Sequence, residues 1–157
     1  MKADIDPMTF TTFLIDAHRN TYADRNAVKA PSSRLRSTDY RFGRGDLAYH
    51  DTYFGVRDFI GEEIVYLHDL PLWGMNYFGV VLVDDCAEHE VYGFLREALQ
   101  QDCVDIVPAR GPCDYRRDGW AYSNAVDGVL GDFTGAELIY RGDVPVYRCR
   151  YHGGWLR

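Results

Sequence analysis

The chain has 157 residues, of which 46% are hydrophobic, 26% charged and 15% aromatic, and it carries a formal net charge of −7. That length suits one domain with one core, burying roughly two thirds of the unfolded surface without metal or disulfide staples. The acidic balance, with no Lys/Arg cluster to track a phosphate backbone, argues against nucleic acid as a partner, and no apolar run approaches the roughly 18 residues that cross a bilayer.

Residues 1–7, a polar stretch ahead of a second methionine at Met8, read as a leader foreign to the fold, so the single domain is expected over 8–157. Thr9 can cap a helix whose Phe10, Phe13, Leu14 and Ala17 form one apolar stripe and which ends near Tyr22. From Asp24 to Thr38 the chain is polar and carries Pro31-Ser32-Ser33, the signature of a long loop or arm. The period then changes to two, with strands expected at 40–43, 46–54, 58–67 and 71–82, broken by Gly45, Gly55 and His68-Asp69. A second helix follows Asp84-Asp85 with Val91, Phe94, Leu95 and Ala98 as its stripe. A loop over 105–118 leads to strands at 119–126, 131–141 and 145–152.

The two strand regions match each other. Ala48-Tyr49 aligns with Ala121-Tyr122 at an offset of 73, and Phe59-x-Gly61-x-Glu63 aligns with Phe133-x-Gly135-x-Glu137 at an offset of 74. Tyr66, Asp69-x-Pro71 and Tyr77-x-Gly79 meet Tyr140, Asp143-x-Pro145 and Tyr151-x-Gly153 in that same register. The expected fold is therefore α+β: a helix-plus-three-antiparallel-strands unit used twice, over about 9–82 and 84–157, with an extra strand in the first copy. One short helix cannot cover each aromatic sheet face. The two copies are expected to share one pseudo-twofold curved antiparallel sheet, with two helices on one side and a central groove.

This pattern resembles the duplicated gyrase-inhibitor-like domains, a resemblance that implies small-molecule binding. A closer one covers nearly the whole chain from Phe13. The segments Pro31-Ser32-Ser33-Arg34, Asp51-Thr52-Tyr53-Phe54-Gly55, Phe59-Ile60-Gly61-Glu62-Glu63, Trp73-Gly74-Met75-Asn76-Tyr77-Phe78-Gly79 and Tyr151-His152-Gly153-Gly154 are similar to a bacterial family of unknown function. Some of its members carry a helix-turn-helix domain ahead of this module, and the family implies no reaction.

Twelve Tyr make up most of the aromatic surplus, and a ring with a polar tip suits a half-wet cavity. Trp73, Met75 and Tyr77 share one strand face, as do Tyr147, Cys149 and Tyr151, either as a pocket wall or as packing under the helices. Asp51 lies between Tyr49 and Tyr53 on its face, and its counterpart Asn124 lies beside Tyr122; such a polar group needs a hydrogen bond, a wet cavity or an Arg to tie down. Glu63 and Glu137 alternate with Phe and Gly in both copies. Near a symmetry axis they would split into a neutral acid and a charged base, or serve a cationic ligand; the bland alternative ties them to Arg57 and Arg141. Gly61 and Gly135 mark a bulge or a close approach by a ring or ligand. His152 shares its face with Arg148 and Arg150, aligned with Phe78, Gly74 and Asn76, as a solvated edge or an anion handle.

No metal is expected, because the five His form no ligand spacing, and no cofactor is implied by any Gly-rich phosphate loop. Cys86, Cys103, Cys113 and Cys149 show no CxxC pair, so the reading is a cytoplasmic protein with reduced thiols, a Cys103–Cys113 bridge being the alternative. The expected function is binding of a small, apolar or cationic molecule in an aromatic and acidic groove for sensing, sequestration or resistance. Its contacts would be Tyr49, Tyr53, Trp73, Met75, Asn76, Tyr77, Tyr122, Asn124, Tyr147, Tyr151 and His152. The alternative is a cofactor-independent hydrolase, cyclase or isomerase with Glu63, Glu137 or Asp51 as general acid and base. A third reading makes the 24–38 arm and strand edges a docking surface, with a homodimer allowed.

Overall fold

The computed structural model describes residues 5–157. Helix α1, Pro7–Asn20, starts earlier than Thr9: Asp6 is the cap, accepting hydrogen bonds from the Thr9 backbone N–H and hydroxyl at 2.8 Å each, and Pro7 fills the first turn. Asp6 and Pro7, set aside on sequence as a leader, thus belong to the helix; residues 1–4 of that leader lie outside the described residues. Helix α2, Glu88–Leu99, opens with Glu88 and Glu90 at its positive end. Both apolar stripes are buried as their spacing requires, through Phe10, Phe13, Leu14 and Ala17 in α1 and Val91, Phe94, Leu95 and Ala98 in α2.

The strands are β1 Thr38–Arg44, β2 Leu47–Gly55, β3 Phe59–Leu67, β4 Leu70–Val81, β5 Asp114–Arg117, β6 Trp120–Val129, β7 Asp132–Arg141 and β8 Val144–Trp155. They make one open antiparallel sheet in the order β1-β2-β3-β4-β8-β7-β6-β5. The expected loop over 105–118 contains β5, so each half has four strands and the first has no extra one. Asp-Tyr-Arg-Arg is a short, charged edge strand with no apolar alternation to reveal it.

At the centre β4 pairs with β8, and Tyr77 stands directly opposite Tyr151. Asp51 pairs with Glu63 and Glu63 with Met75; Asn124 pairs with Glu137 and Glu137 with Cys149. Each half also carries a register shift at the same place, after Val65 and after Ile139. His68 and Asp69 take positive φ in the β3–β4 turn, where Gly142 does so between β7 and β8.

Both helices pack on one face of the sheet and share a core with Tyr49, Val65, Trp73, Met75, Tyr122, Ile139, Tyr147 and Cys149. The opposite face carries no helix, and the arm covers it beside β1, where Asp39 and Thr52 are buried. The chain from Thr21 to Ser37 runs around the outer edge of β1, where Ala30 bridges to Asp39. Asp39 is 1% exposed and accepts hydrogen bonds from the Ser33 backbone and hydroxyl, the Ser37 hydroxyl and His50. Burial alone would raise its pKa, but those donors from Ser33, Ser37 and His50 hold it below the ordinary carboxylate range. The arm is thereby tied down as a cover for an edge strand.

Candidate functional site

A cavity of about 230 Å³ lies between the helices and the first half of the sheet. Its floor comes from β2, β3 and β4, and α1, the arm, α2 and the loop after α2 make its walls. The rings of Tyr22, Tyr49, Tyr53, Phe59, Tyr77 and Tyr92 line it. They brace one another edge to face, with Tyr22 and Tyr53 at 6.0 Å, and Phe59 at 5.7 Å from both Tyr77 and Tyr92. Val56 and Lys29, both exposed, mark the mouth.

The polar groups gather on the floor. Strand parity points Asp51 and Glu63 to the helix side as register partners, 2% and 4% exposed. Tyr77 Oη donates to Asp51 Oδ1 at 2.5 Å, the one hydrogen bond of that carboxyl among the described residues. Burial, then the neighbouring Glu63 charge, pushes the Asp51 carboxyl well above its ordinary range, with the Tyr77 bond and Arg110 opposing. Glu63 Oε2 meets His18 Nε2 at 2.6 Å, and its Oε1 lies 4.0 Å from Arg110 Nη1, beyond a hydrogen bond. Burial, followed by the nearby carboxylates, raises the Tyr49 and Tyr77 phenols far above their usual value, and burial lifts Tyr53 to about 12, so all three stay protonated.

Arg110 joins this floor to the second half. Its Nε and Nη2 donate to Glu137 Oε1 and Oε2 at 2.8 and 3.1 Å, and its guanidinium stands 5.3 Å from the Tyr77 ring centre. Tyr122 and Tyr147 hydroxyls donate to the same carboxylate at 2.9 and 3.2 Å. Glu137 is 0% exposed and has four donors, so it is a closed structural anion.

Of the residues expected at the site, Tyr49, Asp51, Tyr53, Glu63 and Tyr77 line the cavity. Trp73, Met75, Tyr147 and Tyr151 pack in the core, with Trp73 Nε1 donating to Leu130 O at 2.9 Å and Tyr151 Oη to Asn124 Oδ1 at 2.6 Å. Tyr122, Asn124 and Glu137 lie in the filled second half. Asn76 and His152 pair with each other on the open side of the sheet, beside Phe78 and Arg150, facing away from the cavity. The cavity thus sits to one side of the β4–β8 seam on the helix face, while a second and more open hollow lies over that seam on the opposite face, lined from both halves by Asn76, Tyr77, Tyr151 and His152 among others. Arg57 and Arg141, the alternative partners for the glutamates, instead reach Asp84 and Asp85 at 3.2 and 3.3 Å.

His18 and Arg110 were not singled out from sequence. His18 follows Ala17 and stands one turn after Leu14, and a polar residue at the rim of an apolar stripe was a usable sign. Arg110-Gly111-Pro112 sits in a loop where no periodicity points a side chain anywhere. Among the described residues no three His, Cys, Asp or Glu side chains form a metal-holding group, and no helix is long and apolar enough to cross a membrane.

Residues 51–156 match the model of a family described as a domain of unknown function, DUF5680, and the chain belongs to that family. No curated protein and no solved structure matches the chain. The matched span holds Asp51, Glu63, Tyr77 and Arg110, whereas His18, Tyr22 and Lys29 of α1 and the arm lie before it.

Proposed function

We propose that the protein captures a small, largely apolar ring molecule in the cavity beside β2, β3 and β4, for sensing, sequestration or self-protection. One observation carries this reading: the Asp51 carboxyl, on a residue 2% exposed, sits at the floor of a ring-lined cavity with a single hydrogen bond among the described residues, from Tyr77. That carboxyl keeps hydrogen-bonding capacity toward the cavity, where a ligand can use it. The size agrees, since a cavity of about 150 Å³ already holds benzene and this one is about 230 Å³.

The reading includes an internal duplication in which one helix-and-four-strand unit was copied and only the first copy kept a hollow. In its support, the sheet order is symmetric about β4 and β8, and the register partners of Asp51 and Glu63 recur at Asn124 and Glu137. Thermal unfolding with naphthalene, indole and 2-naphthol tests the capture. A bound probe at 100 times its Kd adds about 2.7 kcal/mol, raising Tm by roughly 5–10 °C for a chain of this size. Val56→Trp, which closes the exposed mouth, is expected to abolish the shift. No shift with any probe, or one that survives both Val56→Trp and the wall substitution Ala23→Leu, would overturn the proposal.

A further inference from the structure

Two carboxyl groups face the cavity from adjacent strands, and among the described residues each has one oxygen outside its own hydrogen bond. They are held in opposite ways. Among the described residues Asp51 has a phenol as its one hydrogen-bond partner and no cation within ion-pair distance; Glu63 has His18 at 2.6 Å and the Arg110 guanidinium at 4.0 Å. Glu63 thus has an imidazole and a guanidinium beside it, while burial and the neighbouring Glu63 favour the protonated form of Asp51. No Ser or Cys lines the cavity, so no hydroxyl or thiol nucleophile of that kind stands beside the pair. What the floor holds is one proton donor and one proton acceptor, side by side beneath a ring-sized hollow.

Resting on the capture reading, we infer that the cavity moves a proton within an uncharged, enolisable aryl ketone, Asp51 serving as general acid and Glu63 as general base. Glu63 Oε1 takes a proton from the carbon beside the carbonyl, and the C–H electron pair becomes the carbon–carbon π bond. The carbonyl π pair moves onto oxygen, which takes the proton from Asp51 Oδ2. The enol forms with Glu63 protonated and Asp51 ionised. Return of a proton to that same carbon, with the enol proton going back to Asp51, restores the ketone and both carboxyls, so no oxidant, metal or co-reactant enters; the other flanking carbon exchanges by its own enolisation. Tyr77, bonded to Oδ1, fixes the orientation of the acid and remains bonded when it ionises.

The second half supplies the contrast that isolates these roles. Asn124 stands at the position of Asp51 and has no acidic proton, and Glu137 at the position of Glu63 has all its capacity taken by Arg110, Tyr122 and Tyr147. The same frame there holds no chemistry.

The experiment is deuterium uptake at the α-carbons of 2-indanone, 1-indanone and phenylacetone in D2O, read by NMR, with binding followed by titration on the full chain. Exchange above buffer is expected, falling about a hundredfold or more in Asp51→Asn and in Glu63→Gln, the usual reach of general acid or base catalysis. Ketone affinity is expected to hold within a few-fold. Glu62→Gln, whose side chain faces the other side and pairs with Arg34 at 2.5 Å, is the control that keeps exchange. The rate is also expected to fall with rising pH as Asp51 loses its proton. The groups on the cavity side around Asp51 are Tyr40 from β1, Tyr49 and Tyr53 from β2, Glu63, Tyr77, His18 from α1, Tyr92 and Arg96 from α2, Arg110, and Tyr22 and Lys29 of the arm, with Asp39 acting from the other face of the sheet. Of these, Glu63 and Arg110 act on it most among the charged groups. Ketones that bind without exchange above buffer, or exchange unchanged in either carboxyl variant, overturn the acid–base inference and leave the capture reading standing. Neither binding nor exchange with any of the three overturns both.

Discussion

The two halves of the sheet pair a glutamate with Asp51 in one and with Asn124 in the other at matching register positions, and end in opposite states. In the first half the chain after α1 swings out around β1, and the space above Asp51 and Glu63 stays hollow. In the second half the chain after α2 turns inward: Ala109, Arg110, Gly111 and Pro112 are buried, and Arg110 closes on Glu137. Gly111 makes that entry possible, because a Cβ there would meet Tyr122 Oη at 2.5 Å and Leu99 at 3.0 Å. Asn124 completes the plug, donating to Gly111 O at 3.0 Å and accepting from Tyr151. The course of one post-helix loop therefore decides whether this frame is a core or a pocket.

The largest effect is expected where that plug is pulled. Arg110→Met leaves Glu137 at 0% exposure with phenol donors alone. Breaking a buried ion pair on one side costs about 3–5 kcal/mol, read as a lower urea midpoint at pH 7. Adding Glu137→Met to Arg110→Met is expected to recover most of it. A single variant within about 0.5 kcal/mol of the wild type would mean that Arg110 does not distinguish the halves.

A smaller effect is expected from making the first helix copy the second. The apolar stripes of α1 and α2 align so that His18 falls where Leu99 stands. His18→Leu removes the 2.6 Å contact to Glu63 and leaves that carboxylate with Arg110 beyond bonding distance. Loss of a hydrogen bond to a charged group costs about 1.5–3 kcal/mol, measured by the same unfolding curve. An unchanged midpoint would show that Glu63 takes its support from elsewhere.

Much of this fold was legible because strands with one buried face must alternate. Phe59-x-Gly61-x-Glu63 and its match at 133–137 put both glutamates on the helix side, as the structure does. Parity also grouped Tyr49, Asp51 and Tyr53, which became cavity wall; by the same rule Asn76 and His152 belong to the other face, although both were expected among the contacts of one groove. What was not legible lay outside the strands. Nothing periodic says that the arm over 24–38 leaves the helix side while the loop over 100–113 enters it, and that difference moves the cavity off the central seam. The edge strand β5 was missed for a related reason, since charged residues that blunt an edge erase the alternation that reveals a strand.

Asp51→Asn gives the smallest stability change and the sharpest test, because it writes the second half's residue into the first. The Asp51 carboxyl titrates higher in the folded chain than in the unfolded one. As pH rises above about 4, the usual Asp value, the unfolded chain releases this proton and the folded chain keeps it. Stability contributed by the group is full below that pH and is lost as pH climbs toward the folded value. The amide has no such proton and still accepts from Tyr77. Asp51→Asn is therefore expected to unfold at a higher urea midpoint than the wild type at pH 7.5, by about 1 kcal/mol, with the gap closing toward pH 4.5. A gap that stays constant across that range would mean that Asp51 is ionised in the folded protein, and the two halves would then differ in packing and not in charge.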